Sequence, residues 1–365
     1  MKKLLTLALV SVSLVSGGRA AIAVGSGAEL FFTGLAGVRW DDNVLLEARN
    51  EKSDTIFDIA PGVELSYGKN AQLSGSLSAS ETLTRYADNS RLDTDLFTGD
   101  FTTSFDDGKM KLGFASGFHQ LNQNTADVRG LARRDIFTAA ADAEVEASQL
   151  TSFAVGAHYS RENFQRTEFS DAESFTVPLD VFYKWRPKVD LSLGYRFRDY
   201  QLDLGQNSKD HFLSLGARGD FSPQLPGRVA VGWNRRTLER GGSHDDLGVD
   251  ARLGYELTPK TTLQIGASKD FGTSPLGQQE KNTTVQALLV AKLTAQWSAS
   301  GGASYRRIDY GSHTDDYVEG QIGFDYVATA NVRIVGAYTR RDYNSTQATA
   351  EFANNVFSIA ANLRF

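Results

Sequence analysis

Five short segments of the sequence combine arginine with an aromatic residue or an aspartate. They are ARRDI at 132–136, YRFRDY at 195–200, WNRRT at 233–237, YRRIDY at 305–310 and YTRRDY at 338–343. Guanidinium groups bind carboxylates and phosphates through paired N–H donors. The segments therefore predict either a site that steers an anionic solute or a set of anchors for anionic lipid headgroups.

The other reactive residue types form no recognisable catalytic or metal site in the sequence. The five histidines are His119, His158, His211, His244 and His313, and no two have the spacing of metal ligands. His158 with Ser160, and Ser243 with His244, are the local nucleophile and base candidates, and neither pair lies in a known motif. The chain has no cysteine. We predict that the protein is not an enzyme and has no metal and no cofactor.

The elements that must position the arginines show the alternation of β-strands. Between residues 189 and 199, Leu191, Leu193, Tyr195 and Phe197 alternate with Asp190, Ser192, Gly194, Arg196 and Arg198. Successive side chains of a strand point to opposite faces, so this pattern predicts one apolar face and one polar face. Eighteen such segments follow one another between residues 34 and 365.

The connections between these segments alternate between short and long. Short ones include GKNA at 68–71 and ATAN at 328–331, and longer polar ones occupy 42–53, 163–173 and 273–282. Outer-membrane barrels have short periplasmic turns and longer extracellular loops. The sequence therefore predicts an all-β transmembrane antiparallel up-and-down barrel of about 18 strands, in a range of 16–18. A soluble two-sheet sandwich has the same alternation, but the long uninterrupted run of similar strands favours the membrane barrel.

Both ends of the chain support an outer-membrane location. Residues 1–23 read as a signal peptide, with Lys2 and Lys3, an apolar stretch, and Ala21-Ile22-Ala23 as the cleavage site. Residues 24–365 are then a single barrel domain in the outer membrane of a Gram-negative bacterium. The last strand, with Phe357, Ile359, Ala361, Leu363 and Phe365, resembles the C-terminal signal that the barrel-assembly machinery recognises.

A barrel of 16–18 strands leaves an aqueous channel, so transport is the predicted function. The candidate residues for the lumen or its mouth are Arg134, Arg196, Arg198, Arg236, Arg252, Arg306, Arg341, Asp190, Asp250 and Glu319. Alternation also places Glu64, Asp100, Asp142, Glu144 and Arg218 on this face. These residues form either an ion-paired solvated wall or a basic ring that guides an anionic solute or polymer.

The outward neighbours of the lumen arginines predict a different partner. Arg235, Arg307 and Arg340 alternate with inward arginines and suit contacts with outer-membrane lipid and lipopolysaccharide phosphates. A net charge of −6 gives no basic face for nucleic acid.

A family resemblance lies in the segment VRWDDNV at 38–44, with Asp41, Asp42, Asn43 and Val44, and in the terminal NLRF. With the strand run, these residues resemble the outer-membrane β-barrel porin family associated with exopolysaccharide export, the β-barrel porin 2-like proteins. The resemblance implies a wide pore that translocates a secreted polysaccharide together with a periplasmic polysaccharide-export protein.

Under the export hypothesis, Tyr86, Tyr200 and Tyr310 are candidates for lining a sugar path, since amphipathic rings can face sugars. One alternative is a general diffusion porin for small solutes, with loops folded inward to narrow the lumen. Another is a structural or adhesive surface barrel with a plugged lumen and partner-binding loops.

Overall fold

The computed structural model describes residues 22–24, 27–125, 130–346 and 351–365. Within them lie nineteen strands and one short 3-10 helix, η1 (Ser90–Leu92). The strands are β1 (Ile22–Ala23), β2 (Ala28–Asp41), β3 (Asp54–Tyr67), β4 (Leu73–Tyr86), β5 (Thr94–Asp106), β6 (Met110–Thr125), β7 (Gly130–Glu146), β8 (Thr151–Phe164), β9 (Ala172–Arg186), β10 (Val189–Leu202), β11 (Ser208–Ser222), β12 (Leu225–Leu238), β13 (Ser243–Thr258), β14 (Thr261–Thr273), β15 (Gln279–Lys292), β16 (Trp297–Asp309), β17 (Thr314–Val327), β18 (Val332–Ser345) and β19 (Phe352–Arg364).

Strands β2 to β19 form a closed barrel. Each pairs antiparallel with the next along the chain, and β19 pairs back with β2. The prediction of an eighteen-strand up-and-down barrel is therefore confirmed. The first predicted strand, 34–41, begins earlier, at Ala28. The two-residue strand β1 pairs with Glu29 and Leu30; the predicted signal peptide otherwise lies outside the described residues. No described helix is long and apolar enough to cross a membrane.

Alternation separates a lipid-facing surface from a polar interior. Leu215 and Ile322 are 69% and 63% exposed on the outer face, because a barrel turns its apolar positions outward toward lipid. Aromatic residues mark both ends of this apolar belt. Trp40 packs against Phe357 near one end, at 5.9 Å between ring centroids. Trp297 stacks on Tyr326 at the other end, at 4.5 Å.

The two ends of the barrel differ in their connections. The turn end carries Phe365 and the turns at 68–72, 107–109, 147–150, 187–188, 223–224, 259–260, 293–296 and 328–331. The loop end carries the connections at 42–53, 87–93, 165–171, 203–207, 239–242, 274–278 and 310–313. The alternation is present, but the long loops predicted at 163–173 and 273–282 are shorter than expected. Flanking polar residues such as Asn163, Glu173 and Asn282 belong to strands, although their polarity resembles that of a loop.

The seam between β2 and β19 is completed by side chains. Their ladder ends at Asp41 opposite Val356. Beyond it, the carboxylate of Asp42 accepts hydrogen bonds from the backbone N–H and the Nδ2 of Asn355, each at 2.6 Å. Asn354 Nδ2 donates to Asp41 at 2.6 Å, and Asn43 Nδ2 donates to the Ala353 carbonyl at 3.0 Å. We call Asp41, Asp42, Asn43, Asn354 and Asn355 the seam latch.

The loop at 42–53 rests on small apolar clusters at the loop end. Val44 packs with Ile56 and Tyr86. Leu46 packs against Tyr343 and Phe352. The loop therefore packs on both sides of the seam, on β3 and β4 at one side and on β18 and β19 at the other.

Candidate functional site in the barrel lumen

The inner faces of the strands line a cavity of about 1000 Å³. Residues of both charges and uncharged polar residues contribute to its wall, among them Arg39, Asp142, Arg228, Asp250, Arg252 and Gln286. Some of these charges are paired across the wall, as Arg228 is with Asp180 at 3.4 Å. The cavity wall thus carries paired charges and polar groups, a lining that suits polar solutes.

One hairpin leaves the barrel wall and enters this space. The pairing of β13 with β14 ends at Val249 opposite Lys269. By contrast, β12 and β13 stay paired up to Thr237 opposite Ser243, and β14 and β15 stay paired up to Thr273 opposite Gln279. Residues 270–280, here called the inner hairpin, therefore separate from β13 as a unit.

The tip of the inner hairpin reaches the connections on the β9–β11 side of the mouth. The Ser170 N–H donates to the Pro275 carbonyl at 2.7 Å. Gln279 Nε2 donates to the Gln206 carbonyl at 3.1 Å. Because Ser170 lies in the loop at 165–171 and Gln206 in the loop at 203–207, the hairpin spans part of the loop end of the lumen.

A buried ion network lies beneath the inner hairpin. Arg236 binds the carboxylate of Asp210 through Nε at 2.7 Å and Nη2 at 2.8 Å. Arg198 binds the same carboxylate through Nε at 2.8 Å. Asp210 and Arg236 are each 1% exposed, and Arg198 is 4% exposed. Charges this deeply buried are tolerated only when they are paired and hydrogen-bonded.

The same arginines bind the backbone of the inner hairpin. Arg236 Nη1 donates to the Gly272 carbonyl at 2.6 Å and to Gln279 Oε1 at 2.7 Å. Arg198 Nη2 donates to the Phe271 carbonyl at 3.0 Å. The hairpin is therefore held by the wall, and the polar groups it brings inward are satisfied there.

Asp270 carries the hairpin's own charge into the network. Its carboxylate accepts from Arg196 Nη2 at 2.8 Å, from Arg198 Nη1 at 3.2 Å and from Asn234 Nδ2 at 2.7 Å. We call Arg196, Arg198 and Asn234 the carboxylate site. All three belong to the wall strands β10 and β12.

A second ion cluster lies toward the turn end. Arg218 of β11 binds Glu144 of β7 through Nη1 at 2.8 Å and Asp190 of β10 through Nε at 3.1 Å. Its guanidinium lies 3.3 Å from the ring centroid of Phe182. One arginine thus ties β7 to β10 and β11, neither of which is its neighbour in the sheet.

Replacing Arg218 with alanine is expected to destabilise the barrel by about 1–3 kcal/mol, because Glu144 and Asp190 lose a charged donor in a half-buried setting. Denaturant titration of the protein folded in a phospholipid bilayer measures this change. Arg252→Ala is the control, since that side chain is 62% exposed and lies 3.8 Å from Asp250. Equal stability of the two variants would contradict a structural role for Arg218.

The residues predicted for the lumen or mouth fall into several groups. Arg196, Arg198 and Arg236 meet in the buried network. Arg134 is 3% exposed and lies 2.8 Å from Glu162.

The other predicted residues lie outside the buried network. Arg341 pairs with Glu319 at 3.1 Å, and Arg306 binds Asn282 at 3.0 Å at the base of the inner hairpin. Arg252 lies beside Asp250, and Asp190 belongs to the Arg218 cluster. These arginines have acidic or polar partners, and their role in guiding solutes stays a prediction.

Two of the tyrosines proposed to line a sugar path are packed against neighbours at the loop end. Tyr86 is 8% exposed, packed under the loop at 42–53. Tyr310 stacks on His313 in a loop at the loop end, at 4.4 Å between centroids. Tertiary packing at the mouth, which alternation does not encode, covers Tyr86.

Two histidines face lumen carboxylates. His119 lies 2.9 Å from Asp100, and His158 lies 2.8 Å from Asp142. Within the described residues, no group of three or more His, Cys, Asp or Glu side chains could hold a metal ion. Each pair adds a hydrogen bond to the polar wall.

Sequence reasoning missed Asp210, Asn234 and Asp270, which are central to the network. Asp210 and Asn234 lie on the inward face by alternation, and that signal could have found them. Asp270 stands in KDFG, at the end of a predicted strand. Nothing local indicates that this strand end turns into the lumen.

Comparison with known proteins agrees with this architecture. The sequence pattern of a protein family described as “Putative beta-barrel porin 2” matches residues 34–365. The structure is similar to that of Pseudomonas aeruginosa OpdK, solved with vanillate, at 9% identity and a TM-score of 0.50, covering 92% of this chain and 99% of that one. It is also similar to Acinetobacter baumannii OccAB2, at 11% identity and a TM-score of 0.51, covering 93% of this chain and 98% of that one. No curated protein matches the sequence.

Proposed function

Because the chain belongs to the β-barrel porin 2 family, we propose that it is a passive outer-membrane channel for small hydrophilic solutes. The observation that carries this proposal is the cavity of about 1000 Å³ partly spanned by the inner hairpin. A cavity of this size accommodates a small molecule. The ion-paired wall supplies hydrogen-bonding groups that replace part of a solute's hydration shell.

The inner hairpin favours small solutes over a polymer. A polysaccharide in transit occupies the whole length of a pore, and the hairpin is held across part of the mouth by Arg198 and Arg236. The family match and the structural neighbours offer no support for exopolysaccharide export. The diffusion-porin alternative therefore fits better than the export hypothesis. The choice of solute does not carry over from the vanillate of OpdK, since the likeness to that protein is one of fold.

We also propose that assembly and lipid contacts use the outer face. Phe357, Ile359 and Phe365 are 51%, 48% and 45% exposed, and with Leu363 they form the surface of β19 that the barrel-assembly machinery would read. Arg235 of β12 lies over the Trp233 ring at 5.9 Å, a combination suited to the phosphates of lipopolysaccharide.

Liposome swelling tests the channel directly. We expect the purified protein to admit small sugars and to exclude oligosaccharides of increasing size. Replacing the hairpin tip, residues 274–278, with two glycines is expected to raise the swelling rate for a disaccharide several-fold, because the obstruction is shortened. Shortening the loop at 239–242 is the matched control, since it lies at the same end outside the inner hairpin.

Two results would count against this function. If no solute causes the liposomes to swell, the protein is not a channel. In cells, loss of extracellular polysaccharide on deletion of the gene, with unchanged small-solute uptake, would favour export instead.

A further inference from the structure

The separation of the inner hairpin leaves one strand edge without a neighbour. Residues Ser243–Gly248 of β13 pair with β12 on one side. In the part of the chain that the structure describes, no strand pairs with their other side. Free backbone groups at a sheet edge are templates for pairing with another strand. The edge lies at the height of Trp233, which is opposite Leu247, near the loop end of the apolar belt.

The inner hairpin carries the residues that continue the interrupted register. Extending the pairing from Val249 opposite Lys269 brings Leu247 opposite Phe271 and Asp245 opposite Thr273. Alternation along β14 assigns Phe271 to the outer face, but it is 5% exposed and packed against Arg236. Leu247, its partner in the extended register, is 54% exposed on that outer face. The sequence is therefore compatible with two positions of the hairpin. In one it lies inside the lumen, and in the other it pairs with β13.

The backbone N–H groups at the split are held by adjacent side chains. Phe271 N–H donates to Asp270 Oδ1 at 2.8 Å, and Leu247 N–H donates to Asp246 Oδ1 at 2.7 Å. The base stays tethered, since Lys269 Nζ lies 2.6 Å and Lys281 Nζ lies 3.6 Å from Asp246. The hairpin can therefore pivot about this tether, because the N–H groups of Phe271 and Leu247 bond to adjacent carboxylates and not to another strand.

Besides the bonds from Arg198 and Arg236 to its carbonyl groups, the inward position uses a carboxylate, Asp270, in a site that the wall builds independently. Every group of the carboxylate site, Arg196, Arg198 and Asn234, belongs to β10 or β12, and Asp270 reaches it from β14. Arg196 is 25% exposed at its side chain, so solutes have access to it. Another carboxylate can make the same charge-assisted hydrogen bonds.

We propose that the carboxylate site binds the carboxylate of a small anionic solute, which displaces Asp270 and releases the inner hairpin to pair with β13. The hairpin is then a gate opened by the class of solute that passes it. This inference rests on the proposed channel function and adds its regulation and its preferred ligand class. The ligand supplies the free energy of opening through its preference for the vacated site.

Pairs of introduced cysteines test the two positions, because the natural chain has none. Asp245→Cys with Thr273→Cys would face each other only in the extended register, within the range that a disulfide spans. Ser170→Cys with Pro275→Cys tethers the inward position, where the backbones are hydrogen-bonded at 2.7 Å. Single-channel conductance in a planar bilayer is recorded for the oxidised and reduced forms of each. The four single-cysteine variants are the controls.

We expect the oxidised 245–273 pair to conduct several-fold more than its reduced form, and the oxidised 170–275 pair to stay at the low level. Benzoate should increase the high-conductance fraction of the natural protein, and benzamide of similar size should not. Arg196→Gln should lose the response to benzoate.

Failure of the 245–273 pair to cross-link, or an unchanged conductance after cross-linking, would overturn the gate. Equal effects of benzoate and benzamide would overturn the carboxylate site. A protein that conducts with no response to either tether would refute this inference and leave the channel function intact, whereas a protein that never conducts would refute the channel itself.

Discussion

Replacing Asp210 with alanine is expected to destabilise the barrel by about 3–5 kcal/mol, because it leaves the buried charges of Arg198 and Arg236 without their shared partner. Both arginines also hold the inner hairpin through its carbonyl groups. Water must enter to solvate them, which loosens the hairpin. Channel conductance is therefore expected to rise as stability falls.

Denaturant titration in phospholipid bilayers and single-channel recording measure the two effects of Asp210→Ala. Asp220→Ala is the control on the same strand, since Asp220 is 42% exposed in its pair with Lys188 and exposed pairs contribute little. A second variant, Asp210→Ala with Arg236→Met, should recover part of the lost stability because one buried charge is gone. Full stability in the single variant would contradict the network.

Breaking the seam latch is expected to have the second largest effect. In Asp42→Ala, the backbone N–H and the Nδ2 of Asn355 both lose a charged acceptor, and a bond to a charged group contributes about 1.5–3 kcal/mol. These contacts lie where the ladder between the first and last barrel strands has ended. The loop end of the seam should therefore open first on heating.

Gel mobility after heating in detergent reports this change, because a folded barrel and an unfolded chain migrate differently. The conversion temperature of Asp42→Ala should fall well below that of the unmodified protein. Asp342→Ala is the control, since Asp342 forms an exposed pair with Arg340 on β18. If the two variants convert at one temperature, the seam does not depend on the latch.

The strands and their faces were accessible from the sequence because both follow from local alternation. Leu191 and Leu193 point outward at 42% and 51% exposure, and Arg198 points inward, as period two requires. The up-and-down connectivity followed from the turns, since strands joined by two to five residues have no choice of neighbour. The pairing of β19 with β2 then followed from the need to leave no open edge in lipid.

The inner hairpin was not accessible by the same reasoning. Phe271 has the same alternation whether its strand stays in the wall or bends into the lumen. The choice depends on Arg236 and Asp210, which lie on other strands far away in the sequence. Period-two patterns hold no information about such partners. The sequence pattern assigns Gln279 to a loop for a related reason, since a polar residue that binds Arg236 in the lumen resembles one that meets solvent.

The predicted function was accurate at the level of a membrane channel and went too far in naming a polymer. That step came from a family resemblance around Asp41, Asp42, Asn43 and Val44. In the structure these residues hold the seam and its adjoining loop, so their chemistry concerns closure of the barrel and not the cargo.

The seam joins segments that are remote in the chain, since Asp41 and Asn354 are 313 residues apart. Loop-closure entropy grows only slowly with such a separation, but contacts of high sequence separation form late and slow the folding rate. Until they form, β2 and β19 both present unpaired edges that can capture another chain. Aggregation is thus favoured most before β2 and β19 pair, which is the last pairing step. Holdase chaperones that cover those two edges would set the yield of completed barrels.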